Sequence, residues 1–357
     1  MVAVIDMAIY LVDVEPGDLQ AVATLVEKGR YASVEQFLAV AIRNQLAYER
    51  QVTSPRGLHE RTASAETARN PTPIGGMDLQ AYALGTSRTV VEGVHHSPTA
   101  SLLWGQYYRF LPLKATLRLM VNGFGGEIFL LQDAHRIIRD KILGLADFVD
   151  SKRTDGGQIR LGVGFPGRSR DLERSMERFI VQYVGRCASD GSLTGFPQEM
   201  GFLGKAGDDA DCVVRLSDSG AAFAQFLNPV VDSASTREPL SAEERGFLIE
   251  HICRHMPLEA AHMGLVVRAI DAGRDSPAEL LEELRGFYQD TYRNRELSDS
   301  QVTLMRSGCI SRLIELGIVI PARSAGKVRY SISPDHPENV HAVLSYSDRK
   351  SGTEEGR

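Results

Sequence analysis

Histidines, cysteines, glycines and clustered aspartates are the residues of this chain whose spacing could do chemistry. His251 and His255 stand four apart and would share one helix face, with His262 farther on. A metal site would want a third ligand, usually with a carboxylate or water. Cys253 falls on another face, and no His-Glu-x-x-His pattern is present, so ordinary helix histidines are expected. Asn122-Gly123-Phe124-Gly125-Gly126 is glycine-rich, but a phosphate loop needs a preceding strand, a following helix and usually a Gly-Lys-Ser/Thr ending. Glu127 to Leu131 reads as a strand instead, so the glycines are expected to form a turn. Asp208, Asp209 and Asp211 read as a solvated loop. The four cysteines, Cys187, Cys212, Cys253 and Cys309, have no metal-clip spacing and suggest no disulfide framework. No Gly-x-Ser-x-Gly elbow occurs. The expectation is a protein without catalytic residues, metal or cofactor, and so not an enzyme.

Arginine and lysine make a stronger pattern. The net charge is −6, which argues against a chain that merely coats nucleic acid. The charge is unevenly spread: residues 101–186 hold fourteen basic and nine acidic side chains, 187–300 ten and twenty, and 301–330 five and one. Two basic segments thus flank an acidic one. In the last segment Arg306 and Arg312 fall on an expected helix, and Arg323, Lys327 and Arg329 on and beside an expected hairpin. A helix fits the major groove while a hairpin reaches flanking phosphates. A solvated basic face on a protein-binding domain would show the same residues.

The elements that must position these residues are mostly helices. Ser241 begins a helix to about His255, and Leu258 to Ala272 and Ser276 to Tyr288 add two more. Ser298 or Asp299 caps a long helix that stops at Gly317. Ile318-Val319-Ile320, a turn over Arg323 to Lys327, and Val328 to Ile332 then give a strand pair. Helix, Leu-Gly stop, strand, basic turn and strand resembles a winged-helix domain over about 240–334, most closely across Ser311 to Val319. Upstream, within 101–232, helices are expected over Pro112–Val121, Asp133–Val149 and Asp171–Cys187. A turn over 191–197, a strand at Val213–Leu216 and a helix capped by Ser217 or Asp218 follow. That segment resembles a degenerate winged helix, or is a plain helical domain. The polar tail, 345–357, is expected to be disordered.

The first fifty residues form a separate unit. Ile9 to Val14 is a short β-rich run, Val14 to Asp18 breaks it, and Leu19, Val22, Leu25 and Val26 recur at helical spacing before Gly29. Ser33 with Gln36 makes a capping-box pattern, and Val34, Phe37, Leu38, Ala41, Ile42 and Leu46 form an apolar stripe. A unit this small cannot bury its own core. Gly29 to Phe37 resembles the loop and second helix of ribbon-helix-helix proteins. That resemblance implies an antiparallel strand pair across a homodimer, with Ile9, Leu11, Phe37, Leu38 and Ile42 at the dimer interface and Arg30 and Ser33 at a DNA phosphate. The strand Ile9-Tyr10-Leu11-Val12-Asp13-Val14 has no Arg, Lys, Asn or Gln with which to read bases, and residues 1–50 hold four basic against seven acidic groups. A dimerisation or docking module fits those residues as well as a DNA-reading ribbon.

Residues 51–100, with breakers at Ser54-Pro55-Arg56-Gly57 and Asn70-Pro71-Thr72-Pro73, read as a linker. The N-terminus has no basic stretch of a signal peptide, and no apolar run nears a membrane span, so a cytoplasmic location is expected. The expected fold is mainly α with small β elements: a ribbon-helix-helix-like module, a linker, and two largely helical, winged-helix-like domains. The expected function is sequence-specific binding of double-stranded DNA by a transcriptional regulator. The alternative is a non-enzymatic adaptor that uses the same modules for other protein subunits.

Overall fold

Residues 110 to 121 of α1 (Phe110–Phe124) are all buried, including Lys114, Thr116 and Arg118. A helix covered on every side belongs in a protein interior, and the helices up to residue 225 pack around α1. These coordinates come from a computed structural model. It describes residues 34, 82, 102–151, 161–167, 171–206, 212–293, 297–324 and 327–354, with the side chains of 323–324 and 347–354 excepted. The chain divides into two compact units, Met1–Thr72 and Pro73–Arg357. Apart from Val34, all described residues lie in the second. The expected ribbon-helix-helix module, with Ile9, Leu11, Arg30, Ser33, Phe37, Leu38 and Ile42, and nearly all of the expected linker therefore fall outside the described residues.

The described part is mainly helical with small antiparallel sheets. Gly125, at φ 61°, ends α1 by donating its N–H to the Val121 carbonyl. The glycines of 122–126 thus form a helix end and turn. β1 (Phe129–Leu130) leads into α2 (Leu131–Ser151), which buries Ala134, Ile138, Ile142, Leu145 and Val149 at helical spacing. In α3 (Leu172–Tyr183) the Asp171 side chain caps the N-terminus, and Met176, Phe179, Ile180 and Tyr183 face inward, as their spacing predicts. β2 (Arg186–Cys187) and β3 (Leu193–Thr194) pair antiparallel. After the short α4 (Phe196–Glu199), β4 (Leu203–Lys205) and β5 (Val213–Leu216) join β1 in a sheet ordered β1-β5-β4. In its register Phe129 faces Val214 and Leu203 faces Leu216. The Val213 strand is thus central to a three-stranded sheet.

One cysteine expectation is overturned. Cys187, at the end of β2, and Cys212, just before β5, form a disulfide with Cα atoms 6.1 Å apart. They are 25 positions apart in sequence, and only the fold brings them within bonding reach. Cys253 and Cys309 stand outside that disulfide.

α5 (Asp218–Gln225), capped by Ser217, and α6 (Pro229–Ser233) lead to the C-terminal helices. These are α7 (Ala242–His255), α8 (Pro257–Asp271), α9 (Pro277–Thr291) and α10 (Asp299–Glu315). Ser241, Ser276 and Ser298 each close a capping box, with Glu244, Glu279 and Gln301 as the answering residues. Each box satisfies amides that would otherwise be orphaned, and loss of such a cap costs about 1 kcal/mol. α10 ends in paired bonds from Gly317 N to the Ile314 carbonyl and from Ile318 N to the Leu313 carbonyl. That left-handed ending needs the glycine, at φ 72°. The hairpin of β6 (Val319–Ser324) and β7 (Lys327–Ile332) follows, with longer arms than the sequence suggests. Pro321 is tolerated because a two-stranded ladder has an open edge on each strand.

Residues 345–354 belong to α11 (Pro337–Glu354). α11 begins with proline at its first position, buries Val343 and packs on α7 and α8. Residues of 101–232 and of 240–334 contribute to one contiguous hydrophobic core. No helix among the described residues is long and apolar enough to cross a membrane.

Candidate functional site

Of the basic residues expected to face DNA, Arg306, Arg312 and Arg329 each make contacts within the chain. Arg312 is fully buried. Its Nε and Nη2 donate to Glu259 Oε1 at 3.0 and 2.7 Å, and its Nη1 to the Tyr107 carbonyl at 2.6 Å. This overturns the expectation that Arg312 reaches a base edge. Helical phase explains the correction: Arg312 stands three and four positions from Cys309 and Gly308 and four from Leu316, all buried. Arg306, partly buried, donates Nη1 to the Pro277 carbonyl at 2.6 Å and Nη2 to Ser307 Oγ at 3.1 Å. Arg329 projects from β7 but pairs with Asp275, and with Glu279 at 3.7 Å. The Tyr330 amide also donates to the Asp275 carbonyl, so β7 is fastened to the start of α9. Lys327 is exposed at the end of the hairpin. The Arg323 backbone pairs with Val328, while its side chain lies outside the described residues.

α10 is covered on two sides. Val302, Met305 and Cys309 face the core. On another side the backbone of Gly105 presses against it, so close that a Cβ on Gly308 would come within 2.5 Å of Gly105 Cα. A groove-reading helix needs one long open face; here the chain's own 102–109 segment lies along part of it.

The helix positions instead a buried polar cluster that sequence reasoning missed. Glu259 and His262 come from α8, Tyr288 from α9, and Cys309 and Arg312 from α10, all buried. The Leu103 amide donates to Glu259 Oε2 at 3.2 Å, and Tyr288 Oη lies 2.8 Å from His262 Nε2. Burial alone would push the Glu259 carboxyl up, but the Arg312 guanidinium and the His262 ring outweigh it and hold it at about 2. Burial also pushes the Cys309 thiol and the Tyr288 hydroxyl up. Glu259, His262 and Cys309 offer three donor atoms within 4.8 Å of one another, the one such group among the described residues. The spacing signal was slight: Glu259 and His262 are three apart on one helix, but Cys309 joins them only through the packing of α10. His251 and His255, the pair the spacing favours, lie elsewhere. His251 Nε2 is 2.7 Å from the Met200 carbonyl, and His255 is exposed.

Three more ion pairs tie the start and middle of α1 to later elements. Lys114 Nζ sits 2.9 Å from Glu244 Oε1 and donates to the Phe223 and Phe226 carbonyls. Burial pulls its ammonium down to about 8, against the pull of Glu244. Arg118 forms a two-pronged pair with Asp232 at 2.7 and 3.1 Å. Arg109 pairs with Glu315, which also accepts from the Phe110 amide. Beside Tyr288, a groove of about 720 Å³ opens between α9 and α10, lined by Arg285, Gln289, Tyr292, Asp299 and Val302 among others. No protein-family model, no curated protein and no solved structure matches the chain.

Proposed function

We propose that the protein is a non-enzymatic adaptor that docks other protein subunits, with residues 8–50 as its homodimerising module. The observation that carries this reading is the inward orientation of Arg312, together with the pairing of Arg329 by Asp275 and Glu279. Duplex DNA is held by cations neutralising several phosphates at once. Of the five basic residues in 301–330, one is sealed in the core, one is held by the Pro277 carbonyl, and one is shared with two carboxylates. The neighbouring α9 adds exposed Glu279 and Glu282, so the surface around the hairpin carries both signs. Mixed-charge surfaces of this kind suit the rim of a protein interface better than a polyanion.

The test is binding of the purified full chain to random duplex DNA at two salt concentrations. An adaptor shows no salt-steep binding. A regulator acting through the helix and hairpin shows binding that falls steeply with salt and weakens when Lys327 and Arg329 are both changed to Glu.

A further inference from the structure

His262 is sealed inside the protein with one ring nitrogen satisfied and one not. Nε2 meets the Tyr288 hydroxyl. Nδ1 is buried with no hydrogen-bond partner among the described residues, and it lies 3.8 Å from Glu259 Oε2, too long for a hydrogen bond. A buried polar atom left unmatched calls for an explanation, and a bound ion is one of the recognised ones. Cys309 supplies the third donor of the group, and all three side chains have no exposure.

We propose that Glu259, His262 and Cys309 hold a divalent transition-metal ion, zinc by preference, clasping α8 to α10. The donor set selects the ion. Magnesium and calcium want oxygen ligands, whereas zinc takes sulfur, nitrogen and oxygen together. The surroundings suit ligation as well. A metal-bound imidazole keeps its other nitrogen hydrogen-bonded, and ligating carboxylates are themselves held by hydrogen bonds. Tyr288 meets the first condition. Arg312 on Glu259 Oε1 and the Leu103 amide on Oε2 meet the second, with Oε2 the oxygen turned towards His262. Three protein donors leave one position of a tetrahedral zinc ion for a non-protein ligand. This site does not depend on the adaptor reading, since a regulator could be clasped in the same way.

The experiment strips the purified full chain with a chelator, then adds zinc or cobalt(II) in equilibrium dialysis. The expected result is one ion per chain, with a thiolate-to-cobalt charge-transfer band. Cys309→Ala should abolish the band and weaken zinc binding at least tenfold, whereas Cys253→Ala and His255→Ala should leave both unchanged. Cysteine in a core behaves as a small apolar residue, and circular dichroism checks that the variant is folded. Should Cys309→Ala not fold, X-ray absorption at the zinc edge of the wild-type chain decides. One sulfur at about 2.3 Å supports the site, and a shell of nitrogen and oxygen alone overturns it. A chain that takes up no zinc overturns it, as does one whose zinc is lost with His255→Ala or kept unchanged in a folded Cys309→Ala.

Discussion

Arg312 and Glu259 are both without exposure, and each is satisfied by the other and by the 102–109 segment. Breaking one side of a buried pair leaves the other charge uncompensated, at a cost of about 3–5 kcal/mol. Arg312→Ala should therefore lower the unfolding free energy of the chelator-stripped chain by that amount in urea titrations, and Arg312→Met with Glu259→Leu should recover most of it. A loss below about 1 kcal/mol for Arg312→Ala would mean that the side chain is solvated. Lys114 makes the matching case in pH. Its folded value of about 8 lies below the usual lysine value of about 10.4. Below pH 8 both states hold the proton and the burial cost is constant. Between those two values the folded state has released the proton while the unfolded state keeps it, so stability from this group rises with pH. Wild type should gain on Lys114→Met when both are unfolded at pH 7.5 and again at pH 10. A wild type that loses ground over that interval would contradict the assignment.

At the scale of elements, the tightest approach is between α10 and the segment before α1. A Cβ on Gly308 would meet Gly105 Cα at 2.5 Å and its carbonyl oxygen at 2.6 Å, backbone atoms that cannot swing aside. Gly308→Ala should cost about 1–3 kcal/mol through overpacking. Gly286, within α9, has open space around it and no left-handed backbone. Gly286→Ala should add about 0.4–1 kcal/mol, because alanine restricts the unfolded chain at no steric cost. Melting temperatures that move in the same direction would show that α10 is not packed as described. The C-terminal helices were legible because their ends are written locally: Ser241, Ser276 and Ser298 each precede an answering Glu or Gln by three residues, and Gly317 supplies the left-handed stop. The β1-β5-β4 sheet was less so, since strands of two to four residues carry almost no alternation to read. The Cys187–Cys212 bond and the Cys309 partnership depend on tertiary packing, which leaves no mark on spacing. Arg312 is the instructive middle case. Its phase with Cys309 and Leu316 pointed inward, but a lone arginine in a basic segment reads as surface until Glu259 is seen to meet it.

Across the whole second unit, the ion pairs of α1 join parts that the sequence divides into two domains. Lys114 reaches Glu244 on α7, and Arg109 reaches Glu315 on α10. Changes at Lys114 and at Arg312 should therefore shift one shared unfolding transition, recorded by circular dichroism and by Trp104 fluorescence together. Two transitions, each answering to only one of the changes, would support the two-domain division. For the adaptor reading, the most direct measurement is fluorescence anisotropy of a labelled random duplex titrated with the full chain at about 50 and 200 mM salt, a range over which six to ten phosphate contacts change affinity by about 10³–10⁵. Docking through protein contacts predicts no salt-steep binding, and no difference between wild type and the Lys327→Glu, Arg329→Glu double variant. Tight binding that collapses with salt and weakens in the double variant would place the hairpin on DNA and contradict it.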